Sequence, residues 1–249
     1  MSIGFLTTIE AVIRKSPITV LPKVEMYTAE NAFELLNGKA PESLKNIASR
    51  CKNMAMANIW KEGGLFPKIL SRYGHLSEDS IIRSPYSIKW PMSIYNFDGS
   101  KFAYISEASW GDSVILPRDF SIEAYTDLAC DCPLLIMRLA DQHGKESIHL
   151  KHVRSNFIDI EVAHIVHKLK HEKELFPKEI IFSPRSDSRY RFVLYELQSF
   201  GKDVKVELIE RNNNSEVLVT SGGWCILDDA SRANSQYKSL VAARLWKNN

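Results

Sequence analysis

The segment that most constrains this chain runs from Pro133 to Val153. Pro133 to Leu139 is an apolar run of strand length, and Ser147 to Val153 alternates apolar with polar residues. Between them, Asp141 to Lys145 is short and polar and contains Gly144. Two strands joined by so short a turn must pair antiparallel. The hairpin is one part of a sheet that the rest of the chain must complete.

The rest of the chain supplies further elements. Ser93–Phe97 and Lys101–Ile105 read as a hairpin around Asp98-Gly99, and Ser113–Leu116 and Ile122–Tyr125 as further short strands. Asn156 to Lys173 has helical periodicity, with Phe157, Ile160, Ile165 and Leu169 among its expected buried positions and Asn156 as its N-cap. Glu179–Phe182 reads as a strand and Ser188–Phe200 as a helix stopped by Gly201. Val204–Ile209, Glu216–Thr220 and Trp224–Leu227 read as strands, the last two joined by a tight turn at Gly222-Gly223. The order of strands, helix, strand, helix and strands predicts an α/β fold, an α+β layered sheet with helices packed on it.

Residues 1–90 have a different texture. Ala29–Leu36 and Pro41–Trp60 carry apolar residues at helical spacing, and prolines punctuate the rest. They predict a mainly helical N-terminal extension that serves as a cap or in partner recognition, with residues 91–249 forming the α/β domain.

The bulk properties exclude more than they suggest. A net charge of +2 from 32 basic and 30 acidic residues gives no whole-chain case for binding nucleic acid. No apolar run approaches the ~20 residues of a membrane span. The N-terminus lacks a basic region and Glu10 breaks its apolar run, so no cleavable signal peptide is expected. Cys51, Cys130, Cys132 and Cys225 are read as thiols in a reducing, cytoplasmic setting.

The hairpin also concentrates the reactive side chains. A thiolate nucleophile needs a neighbouring imidazole to take its proton, and Cys132 and His149 are the candidate pair. On spacing alone an inert core thiol and a satisfied strand histidine are the commoner reading, because free cysteine is among the most buried residue types. Cys130, Cys132, His149 and His152 also suggest a zinc hairpin. However, Cys-x-Cys is not a usual zinc spacing, and two histidines three apart on a strand face opposite ways. His164, His167 and His171 share a helix face with several lysines and read as a solvated basic surface. No metal or cofactor is expected.

The stretch from Thr126 to His149 resembles the catalytic segment of CheD, the bacterial chemoreceptor glutamine deamidase. That fold is shared with the cytotoxic necrotizing factors and Burkholderia lethal factor. Thr126, Cys132 and His149 match the family's threonine–cysteine–histidine intervals, and Ile136 to Asp141 resembles its strand and turn. The similarity in the order of elements spans roughly residues 100 to 228. The resemblance implies a CheD-like fold and a cysteine-dependent deamidase converting glutamine to glutamate on a protein substrate. It implies Cys132 as nucleophile, His149 as base and Thr126 as the group orienting His149, in a bacterial effector or toxin translocated into a host cytosol. A silent interaction module on the same fold is the alternative. The departures are Asp131 and Pro133 in place of small residues beside the nucleophile, and Ser183-Pro184-Arg185-Ser186 where CheD carries a glycine pair. Pro133 lacks an N–H and cannot donate to an oxyanion.

Overall fold

The structure is a computed structural model. It describes residues 25–26, 40–56, 94–97, 100–105, 113–118, 122–129, 131–172, 174–185, 190–212, 214–229 and 238–246. The elements are β1 (Glu25–Met26), α1 (Glu42–Met56), β2 (Ile94–Phe97), β3 (Ser100–Ile105), β4 (Ser113–Pro117) and β5 (Ile122–Ala129). They continue with β6 (Leu134–Asp141), β7 (Glu146–His152), α2 (Ile158–Glu172), β8 (Leu175–Ser183) and α3 (Arg191–Gln198). The chain then runs through β9 (Lys205–Leu208), β10 (Ser215–Val219), β11 (Gly223–Asp229) and β12 (Lys238–Leu245).

The strands form two six-stranded sheets. The first has the order β1-β9-β8-β6-β7-β4 and the second β12-β11-β10-β5-β3-β2. The expected mixed α/β fold is observed, with two sheets rather than one. They pack face to face over a common core. Leu134, Ile136, Ile148, Leu150 and Ile181 of the first sheet cluster with Thr126's neighbours Ala124 and Tyr125, and with Val217, Val219 and Ile226 of the second.

Each outer face is covered by helix. Val162 and Val166 of α2 and Val193 and Leu197 of α3 pack with Leu135, Met137 and Leu139 of β6 and with Ile180 and Phe182 of β8. On the far side, Leu44, Ala48, Cys51 and Met54 of α1 join the inter-sheet cluster and cover the second sheet. Burying Leu44 or Met54 contributes about 1.5–3 kcal/mol each. The described parts of residues 1–90 thus belong to the same body: α1 shares its core, and β1 extends the first sheet by pairing parallel with β9. The Ala29–Leu36 helix lies outside the described residues.

β6 is buried along nearly its whole length, which explains its unbroken apolar run. The β6–β7 turn is set by Asp141. Its Oδ1 accepts from the backbone N–H groups of His143 and Lys145, each at 2.8 Å, and Gly144 takes φ 79°. β8 is longer than expected. Pro177 has no N–H for the ladder, and a register shift between Arg138 and Leu139 of β6 accommodates it.

Two expectations for α2 are corrected. Ile160 is 69% exposed and Phe157 is 44% exposed. The buried stripe runs instead through Ile158, Val162, Ile165, Val166 and Leu169, which leaves Ile160 on the solvent side. Asn156 lies inside a short 3-10 turn over Ser155–Phe157 rather than at the helix cap. Gly201 does end the α3 turn, with φ 102°. β12 was not expected, because Ala242 and Ala243 favour strand weakly. It forms because β11 offers it a ladder and the sheet core and α1 bury it.

The Gly222-Gly223 turn carries a sharp test. A Cβ on Gly223 would lie 2.2 Å from the backbone oxygen of Arg244, whereas one on Gly222 would find its nearest neighbour at 3.8 Å. Gly223→Ala is expected to destabilise the fold by about 1–3 kcal/mol in denaturant titration, and Gly222→Ala by far less. Equal stability of the two variants would contradict the close approach of β11 and β12.

Candidate functional site

The hairpin forms as its pattern requires, and its register decides which side chains meet. Leu134 pairs with His152 and Met137 with His149. Paired residues share a face. His149 therefore lies beside Met137 on the face covered by α2 and α3. Cys132 lies in a bend before β6, outside the paired residues, and the register turns His149 away from the face that carries His152 and Thr126.

His152, rather than His149, is the histidine that meets Thr126. The Val153 N–H donates to the Pro133 carbonyl at 2.8 Å, so pairing continues past β6 to the residue next to Cys132. His152 is thus paired with Leu134, two residues beyond Cys132, which itself lies in a bend before β6. Cys132 is half-buried, whereas Cys51 and Cys225 are fully buried; all three are free thiols. Burial, then the neighbouring Cys225, pushes the Cys51 thiol well above its ordinary range. Cys130 lies outside the described residues.

Thr126 points from β5 into the space between the sheets and meets His152, not His149. Its Oγ1 lies 3.3 Å from His152 Nδ1 and 2.8 Å from the Ile105 carbonyl oxygen. A carbonyl can only accept, so the single threonine proton goes to Ile105. Thr126 Oγ1 must then accept from Nδ1–H. This network assigns the tautomer and leaves the lone pair on Nε2, which makes no hydrogen bond among the described residues. An imidazole held this way is ready to accept a proton at Nε2.

Both histidines are neutral at neutral pH. Burial, then the charges of Arg211 and Lys151, lowers His152 to about 4 against a partial opposing pull from Glu161. Burial, then Lys151 and Lys168, lowers His149 to about 3. His149 Nε2 is also buried without a hydrogen bond among the described residues.

The loop bearing Cys132 is held from below by Arg211. Its Nη2 donates to the Cys132 carbonyl at 2.7 Å and its Nη1 to the Ala129 carbonyl at 2.5 Å and to Ser215 Oγ at 2.8 Å. Its Nε donates to the Ser183 carbonyl at 3.1 Å. Asp131, beside the thiol in sequence, is exposed and paired with Arg185. Among the described residues no group of three or more His, Cys, Asp or Glu side chains is placed to hold a metal ion. His149 and His152 do face opposite sides of the sheet, against a shared zinc ion.

Sequence reasoning weighed His152 only as a metal ligand. Counting outward equally from the Asp141–Lys145 turn would have paired it with Leu134 and so placed it near Cys132. Arg211 carried no signal, since it sits in a polar Arg-Asn-Asn-Asn turn.

No protein-family model and no curated protein matches the sequence. Among solved structures, the chain is similar to the C-terminal domain of CNFy from Yersinia pseudotuberculosis, at 7% identity and a TM-score of 0.34. The match covers 61% of this chain and 64% of that one.

The two lowered histidines make stability depend on pH. Each has an ordinary value of 6.5 and a folded value below it, so the unfolded chain binds more protons in between. Their stabilising effect is complete above pH 6.5 and is lost as pH falls toward 4 for His152 and 3 for His149. Each should contribute a slope of about 1.4 kcal/mol per pH unit in that window. His149→Leu is expected to flatten the slope of unfolding free energy against pH; an unchanged slope would refute the buried neutral state.

Proposed function

We propose that this chain is a cysteine-dependent protein glutamine deamidase, with Cys132 as nucleophile, His152 as general base and acid, and Thr126 as the group that orients the imidazole. The observation carrying it is the Thr126–His152 contact, which leaves the buried Nε2 unprotonated on a strand whose pairing continues to Pro133, the residue after Cys132. The substrate class follows from the resemblance of the Thr126–Cys132 segment to the CheD-type deamidases. His152 takes the role implied there for His149, since it is the histidine that meets Thr126 and its strand pairs as far as Pro133, next to Cys132.

In this reading, His152 Nε2 takes the thiol proton as Cys132 Sγ attacks the carboxamide carbon of a glutamine side chain. The C–N bond breaks, and the proton passes from Nε2 to the departing ammonia. A water molecule, deprotonated by the same Nε2, then attacks the thioester. The C–S bond breaks, releasing glutamate and restoring the thiol. The imidazolium formed in this step, disfavoured by burial and Arg211, gains its stabilisation from the thiolate formed with it. The target protein is one in which a new carboxylate changes function. Residues 1–90 contribute to recognising it.

Peptide mass spectrometry of a cell lysate treated with the protein tests the reaction. The expected product is a glutamine converted to glutamate, absent with Cys132→Ser and His152→Ala and retained with Cys130→Ala and His149→Ala. Activity that survives His152→Ala but not His149→Ala would return the base to His149. Cleaved peptide bonds, or no change in any protein, would refute the deamidase.

A further inference from the structure

The mechanism does not use the largest buried polar group near the site. Arg211 is fully buried, yet it lies on no regular strand and directs its guanidinium at three separate backbone segments. Two of its acceptors, the carbonyls of Ala129 and Cys132, bracket the loop joining β5 of the second sheet to β6 of the first. The third, the Ser183 carbonyl, ends β8. Ser215 Oγ, also bonded to Nη1, donates in turn to the Asp228 carboxylate. The Arg211 backbone N–H is tied as well, to the Pro184 carbonyl at 3.0 Å.

A buried guanidinium is costly unless its donors are used. Here one donor, Nη2, is used on the cysteine's own carbonyl, and Nη1 on the Ala129 carbonyl at the start of the same loop. A hydrogen bond to the Cys132 carbonyl fixes the peptide plane that follows it, and with it the direction of the Cys132 Cα–Cβ bond. The planar fork reaches the Ala129 and Cys132 carbonyls from two nitrogens at once, which a lysine cannot do.

We infer that Arg211 is a positioning residue for the nucleophile: it holds the Cys132 loop so that the thiol faces His152. This rests on the reading of Cys132 and His152 given above. Ser215 and Asp228 support Arg211 from the second sheet, so the alignment of the thiol depends on the two sheets being docked.

The test is iodoacetamide labelling of Cys132 in the full chain, followed by peptide mass spectrometry across the neutral pH range, for wild type, Arg211→Met, Arg211→Lys and His152→Ala. Thermal melts by circular dichroism accompany each variant. Positioning predicts that folded Arg211→Met labels Cys132 more slowly by roughly an order of magnitude or more, with its pH profile displaced toward that of His152→Ala. Arg211→Lys should fall between Arg211→Met and wild type. A merely structural role would instead loosen the loop and raise the labelling rate. Wild-type rate and profile in folded Arg211→Met, or faster labelling, would overturn the inference. If Arg211→Met does not fold, Arg211→Lys decides: slower labelling supports positioning, and a wild-type profile refutes it. If His152→Ala labels like wild type while the Arg211 variants are slowed, the base assignment fails and positioning of the thiol stands.

Discussion

A buried cation between two sheets sets the terms for this molecule. Arg211 has no exposed surface, and desolvating a guanidinium is tolerable only where its fork finds acceptors. It finds them in the carbonyls of Ala129, Cys132 and Ser183 and in Ser215 Oγ. These come from both sheets and from the crossing between them. The end of the sandwich that carries Cys132 is therefore cross-linked by hydrogen bonds rather than by apolar contact alone. The same charge disfavours a second cation nearby, which helps keep His152 neutral.

A second polar cluster joins the sheets elsewhere. Arg244 of β12 reaches Glu207 and Glu179 on the first sheet, and Lys205 also pairs with Glu207. Buried ion pairs of this kind add little net stability over apolar packing, but they penalise any other docking of the sheets, since a shifted pairing would strand a carboxylate. Between these clusters the core is apolar. Helix α1 completes it by covering the second sheet, so removing residues 1–90 would uncover Leu44's neighbours in the core.

The site shows how a sequence interval and a three-dimensional register diverge. The distance in sequence from Cys132 matched a family pattern at His149. In a hairpin, the partner of a residue is set by the turn, and Asp141 and Gly144 close this one so that Leu134 meets His152. His149 falls on the helix-covered face instead, next to Met137. The place of β5 in the opposite sheet brings Thr126 to His152 rather than to His149.

Much of the fold was legible because its causes are local. Alternation in Ser147–Val153, the unbroken apolar run after Pro133, the Asp141–Lys145 turn and the Gly201 stop each follow from side-chain period or backbone freedom within a few residues. The boundaries of β8 were less legible, since Pro177 argues against a strand until a register shift in β6 absorbs it. What the sequence by itself determined was the class of fold and the hairpin. Only the tertiary structure decided that the strands divide into two sheets, that alanine-rich β12 is one of them, and that His152 rather than His149 stands with Thr126. It also decided that Arg211, in a run of asparagines, is buried. These depend on long-range contacts, where burial and hydrogen-bond satisfaction override local preference.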